Sequence, residues 1–357
     1  MWKMKKFIEE WNNESEYVEV KTSGSTGEPK RMMVEKRRML NSARITCDFL
    51  GLKPGDTALL CMSTDYIAGK MMIVRSIERG LKLIEVEPCG HPLDILGQAK
   101  RQSRAKHETL NIIGQAKRPL DLWSLARQES RAKHWYIDFA AMVPMQVYNS
   151  LQVPEEKERL MAIRHLIIGG GAIDDAMEAE LRTFPNAVWS TYGMTETLSH
   201  IALRRISGPE ASEWYMPFPT VKLSTTDEGC LVIDAPEVCA DTLITNDIVE
   251  LKPDGRFRVL GRKDNVICSG GIKIQIEEVE RELKPYARVP YIISKKKDEK
   301  FGEIVVLLTE GDTDEMKTIC EEHLPKYHRP KLYQHIDKIP LTETGKPARQ
   351  KILDLIF

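Results

Sequence analysis

Nine residues near the start of the chain, TSGSTGEPK, bring together Thr22, Ser23, Gly24, Ser25, Thr26, Gly27 and Lys30. Hydroxyls, small residues that leave backbone N–H groups uncovered, and one ammonium suit a polyphosphate. The spacing differs from the common nucleotide loop, G-x-x-x-x-G-K-[ST], in which a helix starts at once and aims its N-terminus at the phosphates. Here Gly24 and Gly27 are three apart, Lys30 lies three beyond, and the strand-like RMMVE follows. A plain flexible hairpin tip would use the same glycines and serines, so this stretch alone leaves both readings open.

Four more stretches carry chemistry-bearing side chains. STYGMTE (190–196) ends in a hydroxyl and a carboxylate, Thr195 and Glu196. TNDIVEL sets Asp247 among β-formers, and GRKDNVICSGGIKI runs from a basic-acidic cluster into Gly270 and Gly271. TGKPARQK places Lys346 in a polar terminal loop. Tyr66, Gly69, Lys70 and Arg75 in YIAGKMMIVR, with Ser199 and His200 after Glu196, flank these stretches.

The elements that must position these residues follow from pattern. YVEVK (17–21) and RMMVE (31–35) read as strands of a hairpin whose tip is the glycine-rich loop. Helical spacing in KRRMLNSARITCDFL ends at Gly51, and in KMMIVRSIER at Gly80. TALLCM, KLIEVE, YIDFAAMV, RHLIIGG and AVWSTYG alternate with helical segments, which predicts a mostly parallel α/β sheet. After Ser207, short β-rich runs joined by DEG and PDG predict antiparallel β structure, in the manner of a small barrel. From Arg262 onward, hairpin, helix and strand patterns predict a compact α+β domain. The expected fold is therefore α/β, with an antiparallel β subdomain and a smaller C-terminal α+β domain. The boundaries are 1–261 (1–206 α/β, 207–261 β) and 262–357.

Composition narrows the function classes. A formal net charge of -1 over 357 residues gives no push toward nucleic acid. No apolar run reaches the ~18–20 residues of a membrane span, and the N-terminus has no apolar core of a signal peptide. Seven cysteines without a C-x-x-C pair read as reduced thiols of a cytoplasmic protein. One segment resists the pattern: GQAKR and SRAKH each occur twice between Gly97 and His134. Between Lys100 and Lys133 nine Lys/Arg face three acids. A solvated helical insertion, a basic patch for RNA and a locally duplicated coding segment all fit it.

Taken in order, TSGSTGEPK, YGMTE, TND, GRKD, GGIKI and TGK resemble the motif series of the adenylate-forming superfamily. That superfamily comprises acyl-CoA synthetases, luciferases and peptide-synthetase adenylation domains. The resemblance spans residues 17–352. YIAGKMMIVR, GGGAI (169–173) and YGMTETLSH look most like the o-succinylbenzoate–CoA ligases of menaquinone biosynthesis.

This resemblance implies an ATP-, Mg- and coenzyme A-dependent ligase. AMP is transferred to a carboxylate with loss of pyrophosphate, and coenzyme A then displaces AMP. It implies that Thr22–Lys30 holds the leaving phosphates, Thr195 the α-phosphate and Glu196 the Mg²⁺. Tyr192 would stack on adenine beside Gly169, Gly170 and Gly171; Asp247 would take the ribose hydroxyls, and Arg262 would contact ribose or phosphate. Lys346 would bridge the carboxylate and α-phosphate in the first step. Asp264 would be the hinge of a mobile C-terminal domain, and Ser269, Gly270 and Gly271 would lie along the coenzyme A tunnel. Tyr66, Gly69, Lys70, Arg75, Ser199 and His200 would line the acyl pocket, with Lys70, Arg75 or His200 holding a second, non-reacting carboxylate of the substrate. The family usually has glycine where Asn246 stands; asparagine tolerates the left-handed backbone that glycine would supply. The family also has a sizeable subdomain before the phosphate loop, where this chain has 21 residues, and a homodimer could supply the missing wall. Amino-acid adenylation onto a carrier and a non-catalytic nucleotide-binding relative are the competing readings. The first wants an acid for the substrate ammonium, for which only Asp65 is near.

Overall fold

The computed structural model describes residues 2–21, 31–94, 136–341 and 347–356. The glycine-rich loop Thr22–Lys30, the whole repeated basic segment Gly97–His134 and Lys346 lie outside the described residues. Among the described residues, those up to 222, with 234–241, form one compact unit; 223–233 and those from 242 onward form a second.

The first unit opens with α1 (Trp2–Trp11), then β1 (Tyr17–Lys21) and β2 (Arg31–Glu35). These strands pair antiparallel from Tyr17↔Glu35 to Lys21↔Arg31, so the expected hairpin base is present. The chain continues through α2 (Lys36–Phe49), β3 (Thr57–Leu60), α3 (Ile67–Arg79), β4 (Lys82–Glu85) and β5 (Ile137–Met142). Then come α4 (Pro144–Leu151), α5 (Pro154–Met161), β6 (Ile163–Ile168), α6 (Asp175–Arg182), β7 (Ala187–Gly193), β8 (His200–Arg205) and β9 (Met216–Pro217). The strands form one sheet in the order β4-β3-β5-β6-β7-β8-β9.

From β4 to β7 neighbouring strands are parallel. Their sequences explain this: Ala58, Leu59 and Leu60 of β3 and Phe139, Ala140 and Ala141 of β5 are all buried, as strands covered on both faces require. Leu59, Ala140, Met142, Leu166, Ile168 and Val188 share one core cluster with Met177 and Leu181 of α6. Helix ends follow local chemistry. Gly80 takes φ 66° at the end of α3, and Asp174 caps α6 by accepting from Met177 N over 2.9 Å.

Pattern reading ends this sheet at β7. The structure extends it with β8 and β9, both antiparallel.

The second unit holds β10 (Lys222–Thr225), β11 (Cys230–Asp234), β12 (Leu243–Leu251) and β13 (Phe257–Arg262), apart from the ends of β10 and β11. They pair in the linear order β10-β11-β12-β13. The barrel expected here is instead an open four-stranded sheet. Four short strands cannot close on themselves, because closure needs more strands and a matched stagger.

Next come β14 (Val266–Ser269), β15 (Ile272–Gln275), α7 (Ile276–Leu283), β16 (Tyr291–Asp298), β17 (Gly302–Thr309), α8 (Thr313–His323), β18 (Leu332–His335) and α9 (Arg349–Leu353). The strands make a sheet in the order β15-β14-β17-β16, with β18 parallel to β17. One face packs on α7 and α8 through Val279, Leu283, Met316 and Cys320. A second cluster joins Ile292, Val306 and Leu308 to Ile352 of α9.

Candidate active site

The parallel strands of the first unit end at one edge, and in open α/β sheets ligands bind outside that carboxyl edge. β3 leads there to Tyr66 and Gly69, β6 to Gly169–Gly171, and β7 to Tyr192–Glu196. Lys21, the last residue of β1 before the glycine-rich loop, makes a parallel bridge to Tyr66. The topology therefore brings the stem of that loop to the candidate acyl residues on α3.

The turn after β7 is held by its own hydrogen bonds. Thr197, fully buried, accepts from Met194 N over 3.0 Å and sits 2.7 Å from the Ser199 carbonyl oxygen, to which its hydroxyl donates. Leu198 N donates to Thr195 O over 2.9 Å, and Leu198 takes φ 63°, the one positive φ of a non-glycine residue among the described residues. That left-handed residue reverses the chain so that β8 can return beside β7. The reversal is tight enough that a Cβ on Gly193 would overlap the Ser199 carbonyl and come within 2.8 Å of His200 N. A Cβ on Gly169 would likewise run into the Thr191 hydroxyl, so β6 and β7 are in close contact where their loops begin.

Glu196 is exposed beyond this turn, and Thr195 is half-buried. Among the described residues no three His, Cys, Asp or Glu side chains cluster as a protein metal cage. A lone exposed carboxylate fits Mg²⁺ that is held mainly by substrate phosphates and water. Tyr192 stands half-buried with its ring 5.9 Å from that of Tyr215 at 60°. Tyr215 is itself placed by a 2.8 Å hydrogen bond with Ser190.

Behind the turn lies a buried polar chain. Arg75, 2% exposed, donates from Nη2 to Ser199 Oγ over 2.5 Å. Ser199 Oγ is 3.2 Å from His200 Nδ1, and His200 Nε2 is 3.1 Å from Thr46 Oγ1. Thr46 donates its hydroxyl proton to the Ser42 carbonyl over 3.1 Å, and a carbonyl can only accept. Thr46 therefore accepts from His200 Nε2–H. His200 Nδ1 then bears no proton and accepts from Ser199. The tautomer is fixed by the far end of the chain. Burial, and then the Arg75 charge, hold the His200 pKa well below its ordinary value, so the ring is neutral.

Arg75 is the anomaly of this chain. Among the described residues no carboxylate pairs with it; its Nε is buried without a partner, and Nη1 reaches only Met72 Sδ at 3.9 Å. Burial pulls its pKa down to about 10.

Lys70 contrasts with it: its ammonium donates to the Glu19 carbonyl, lies 3.7 Å from the Glu10 carboxylate and sits 5.0 Å over the Phe7 ring. Gly69, next to it, is packed against the Ser63 backbone. Thr46 and Thr197 were not among the residues singled out from sequence. Each is a lone threonine in a helix or turn, and its partner is remote or main-chain.

In the second unit, Asp247 on β12 is the cross-strand partner of Arg262 on β13. Arg262 donates from Nη1 to Asp247 over 3.1 Å and forks onto both oxygens of Asp264 at 3.1 and 2.9 Å. Burial would raise the Asp264 pKa, but the Arg262 hydrogen bonds and charge outweigh it and the net direction is down. Asn246 lies inside β12 with no positive φ, so the left-handed conformation considered for it is not used: an extended strand needs none. Ser269, Gly270 and Gly271 form the tip of the β14–β15 hairpin, with Gly270 at φ 57° and Gly271 at φ 83°. On either side of residues 342–346, Leu341 and Pro347 form an antiparallel bridge and Ala348 N donates to Pro340 O over 2.8 Å.

Residues 17–237 match the model of the AMP-binding enzyme family. The 2-succinylbenzoate–CoA ligase of Listeria monocytogenes serotype 4b (strain F2365) is 23% identical over 372 residues, covering 97% of this chain and 71% of the relative. The crystal structure of an acyl-CoA synthetase (AMP-forming)/AMP-acid ligase II-like protein from Dyadobacter fermentans is 29% identical, with a TM-score of 0.59, covering 98% of this chain and 93% of that one. The o-succinylbenzoate CoA synthetase of Bacillus subtilis, solved with its acyl-adenylate intermediate, shares the fold at 21% identity and a TM-score of 0.71, over 95% of this chain and 69% of that one. With the family model covering more than half of its length and the strand-end loops arranged as described, this chain belongs to the AMP-binding enzyme family.

Proposed function

We propose that the chain is an AMP-forming acid–coenzyme A ligase that activates o-succinylbenzoate for menaquinone biosynthesis. The observation that carries the substrate choice is the Arg75 guanidinium, buried without a carboxylate partner among the described residues. A buried cation without a counter-ion is costly unless an anion is supplied. A substrate with a second, non-reacting carboxylate supplies one. It would be met at Ser199, the half-buried hydroxyl to which Arg75 donates, whose proton would turn from His200 Nδ1 to the carboxylate.

The reaction has two displacements. The reacting carboxylate attacks the α-phosphorus of ATP, the bond to the β-phosphate oxygen breaks, and pyrophosphate leaves. The thiol of coenzyme A then attacks the acyl carbon and AMP leaves with the C–O electron pair. Thr22–Lys30 would hold the departing phosphates and Thr195 the α-phosphate. Mg²⁺ on Glu196 would neutralise phosphate charge. Tyr192 and the Gly169–Gly171 backbone would flank adenine, and Asp247 with Arg262 the ribose. Lys346 would stabilise the charge shared between carboxylate and phosphate. Residues 262–357 would turn about Asp264 between the two steps, bringing Ser269–Gly271 to the pantetheine. No described helix is long and apolar enough to cross a membrane, and all seven cysteines are free thiols. Both fit a cytoplasmic enzyme. The proposed assembly is a homodimer.

The test is pyrophosphate release over a panel of carboxylic acids, with and without coenzyme A. Release with o-succinylbenzoate, and a thioester only when coenzyme A is present, is the expected result. Release with a different acid alone overturns the substrate and keeps the class; release with no acid overturns both.

A further inference from the structure

The buried chain behind the β7 turn can be ordered in two ways. Thr46 and Ser199 each carry one hydroxyl proton, and His200, held between them, carries one ring proton when neutral. In the first order the protons point away from the candidate site. Ser199 donates to His200 Nδ1, His200 Nε2–H donates to Thr46, and Thr46 donates to the Ser42 carbonyl, over 3.2, 3.1 and 3.1 Å. In the second order they point toward it. Thr46 turns its proton to Nε2, Nδ1–H donates to Ser199, and the Ser199 proton faces outward. The same heavy-atom positions serve both orders, because a hydroxyl rotates and a neutral imidazole carries its proton on either nitrogen.

Without a ligand the first order makes one more hydrogen bond, from Thr46 to Ser42, and that bond fixes the tautomer from the far end. The margin is narrow, because the Ser42 carbonyl lies inside α2 and takes a helical N–H in either order. A carboxylate at Ser199 reverses the count. An ionised carboxylate only accepts. In the first order it would face oxygen lone pairs, or it would draw the Ser199 proton and strand Nδ1, a buried acceptor, without a donor. In the second order Arg75 Nη2–H and His200 Nδ1–H fill both lone pairs of Ser199 Oγ, and its proton goes to the carboxylate. Every group from Thr46 to Arg75 Nη2 is then served. Adding a proton at Nδ1 while keeping Nε2–H would set a second positive charge beside Arg75. His200 is 7% exposed, and burial and then the Arg75 charge oppose that protonation.

We propose that the non-reacting carboxylate of the substrate reverses this chain and moves the His200 ring proton from Nε2 to Nδ1. Thr46 is the positioning residue that permits the reversal: it serves Nε2 as acceptor in the empty site and as donor in the filled one. This rests on the dicarboxylic substrate proposed above. The protons balance. Thr46 and Ser199 keep theirs and turn them, while the ring loses one at Nε2 and gains one at Nδ1 by exchange with water, with no net uptake.

The experiment reads the ring directly by nuclear magnetic resonance. The full chain is isotopically labelled at its histidine ring nitrogens, and His200→Gln identifies the His200 signals. Spectra are taken with AMP alone, with AMP and o-succinylbenzoate, and with AMP and an analogue that lacks the non-reacting carboxylate. The unprotonated nitrogen should change from Nδ1 to Nε2 with o-succinylbenzoate and stay Nδ1 with the analogue. Ser199→Ala should keep Nε2–H even with the diacid bound, and its KM for o-succinylbenzoate should rise about tenfold or more while the KM for ATP holds. Thr46→Val should carry the proton on Nδ1 in both states, because an unserved buried N–H is tolerated less than a bare acceptor. Thr46→Ser should restore the change.

A ring that stays Nε2–H while o-succinylbenzoate binds overturns the reversal and leaves the substrate reading standing. Protons on both nitrogens overturn it in favour of proton uptake. The full change of tautomer in Thr46→Val overturns the role of Thr46. Failure of the wild-type chain to bind o-succinylbenzoate, with pyrophosphate release on another acid, overturns the substrate reading and this inference with it.

Discussion

Arg75 and Ser199 are 124 residues apart in the chain and 2.5 Å apart in the fold, with the guanidinium donating to the hydroxyl. The contact ties the middle of α3 to the turn that ends β7. It sets a buried guanidinium directly behind a half-buried hydroxyl beside the candidate site.

Replacing that guanidinium should separate stability from binding. In Arg75→Met the buried cation is lost and no carboxylate among the described residues is orphaned, so Tm should hold or rise. The KM for a dicarboxylic substrate should rise about tenfold or more, equivalent to about 1.4 kcal/mol, while the KM for ATP stays put. Thermal melts and steady-state kinetics check both; an unchanged KM for the diacid would remove Arg75 from the acyl pocket.

Gly193→Ala tests the return of the chain. A Cβ there meets main-chain atoms of Ser199 and His200, which cannot swing aside as a side chain would. A destabilisation of about 1–3 kcal/mol is expected. Adenylation should suffer more than the fold, because the displaced turn carries Thr195 and Glu196. Denaturant titration and pyrophosphate exchange would show it; wild-type behaviour in both would mean that the turn has slack.

Thr197→Val keeps shape and removes one hydroxyl. It leaves Met194 N without its 3.0 Å acceptor and the Ser199 carbonyl without its 2.7 Å donor. The cost should be about 1–3 kcal/mol, with faster amide exchange across residues 194–199. A loss below 0.5 kcal/mol, on the order of a surface substitution, would show that water replaces the hydroxyl.

Acid should weaken the fold through His165. Burial first, then Arg164 and Arg205, lower its pKa to about 4, while Asp138 and Asp56 pull the other way without winning. Between pH 6.5 and 4 the unfolded chain takes up a proton that the folded chain refuses. The contribution is full above pH 6.5 and is lost as pH falls toward about 4. Because the ring is partly exposed, about 1–2 kcal/mol is expected after allowance for solvent screening. His165→Gln should flatten the stability profile over that window, read by denaturant midpoints at a series of pH values. An unchanged slope would assign the acid sensitivity to other groups, His200 among them.

Much of the fold was legible because local pattern and tertiary structure agree. Thr57–Leu60 and Ile137–Met142 are apolar runs bounded by turns, and both became central parallel strands. Gly80 and Gly51 ended their helices where left-handed backbone was needed. Strand β8 was not read because its sequence, HIALRR, mixes apolar and basic residues. Arg204 is held by Glu178 at 2.7 Å and Arg205 lies over the Trp189 ring at 4.9 Å, and those partners come from remote elements.

The order and spacing of the motifs lie in the sequence, and they carry the proposed chemistry: the hydroxyl and carboxylate of Thr195 and Glu196, the acid Asp247, the glycine pair 270–271. Tertiary structure alone decided how the cations are used. Lys70, Arg75 and His200 are equivalent candidates on paper. In the fold, Lys70 is engaged by Glu10 and the Glu19 carbonyl, His200 is neutral, and Arg75 keeps a charge with no acid beside it among the described residues. The reason is physical: a side chain's charge and proton depend on burial and on partners far away in sequence, and local pattern carries neither.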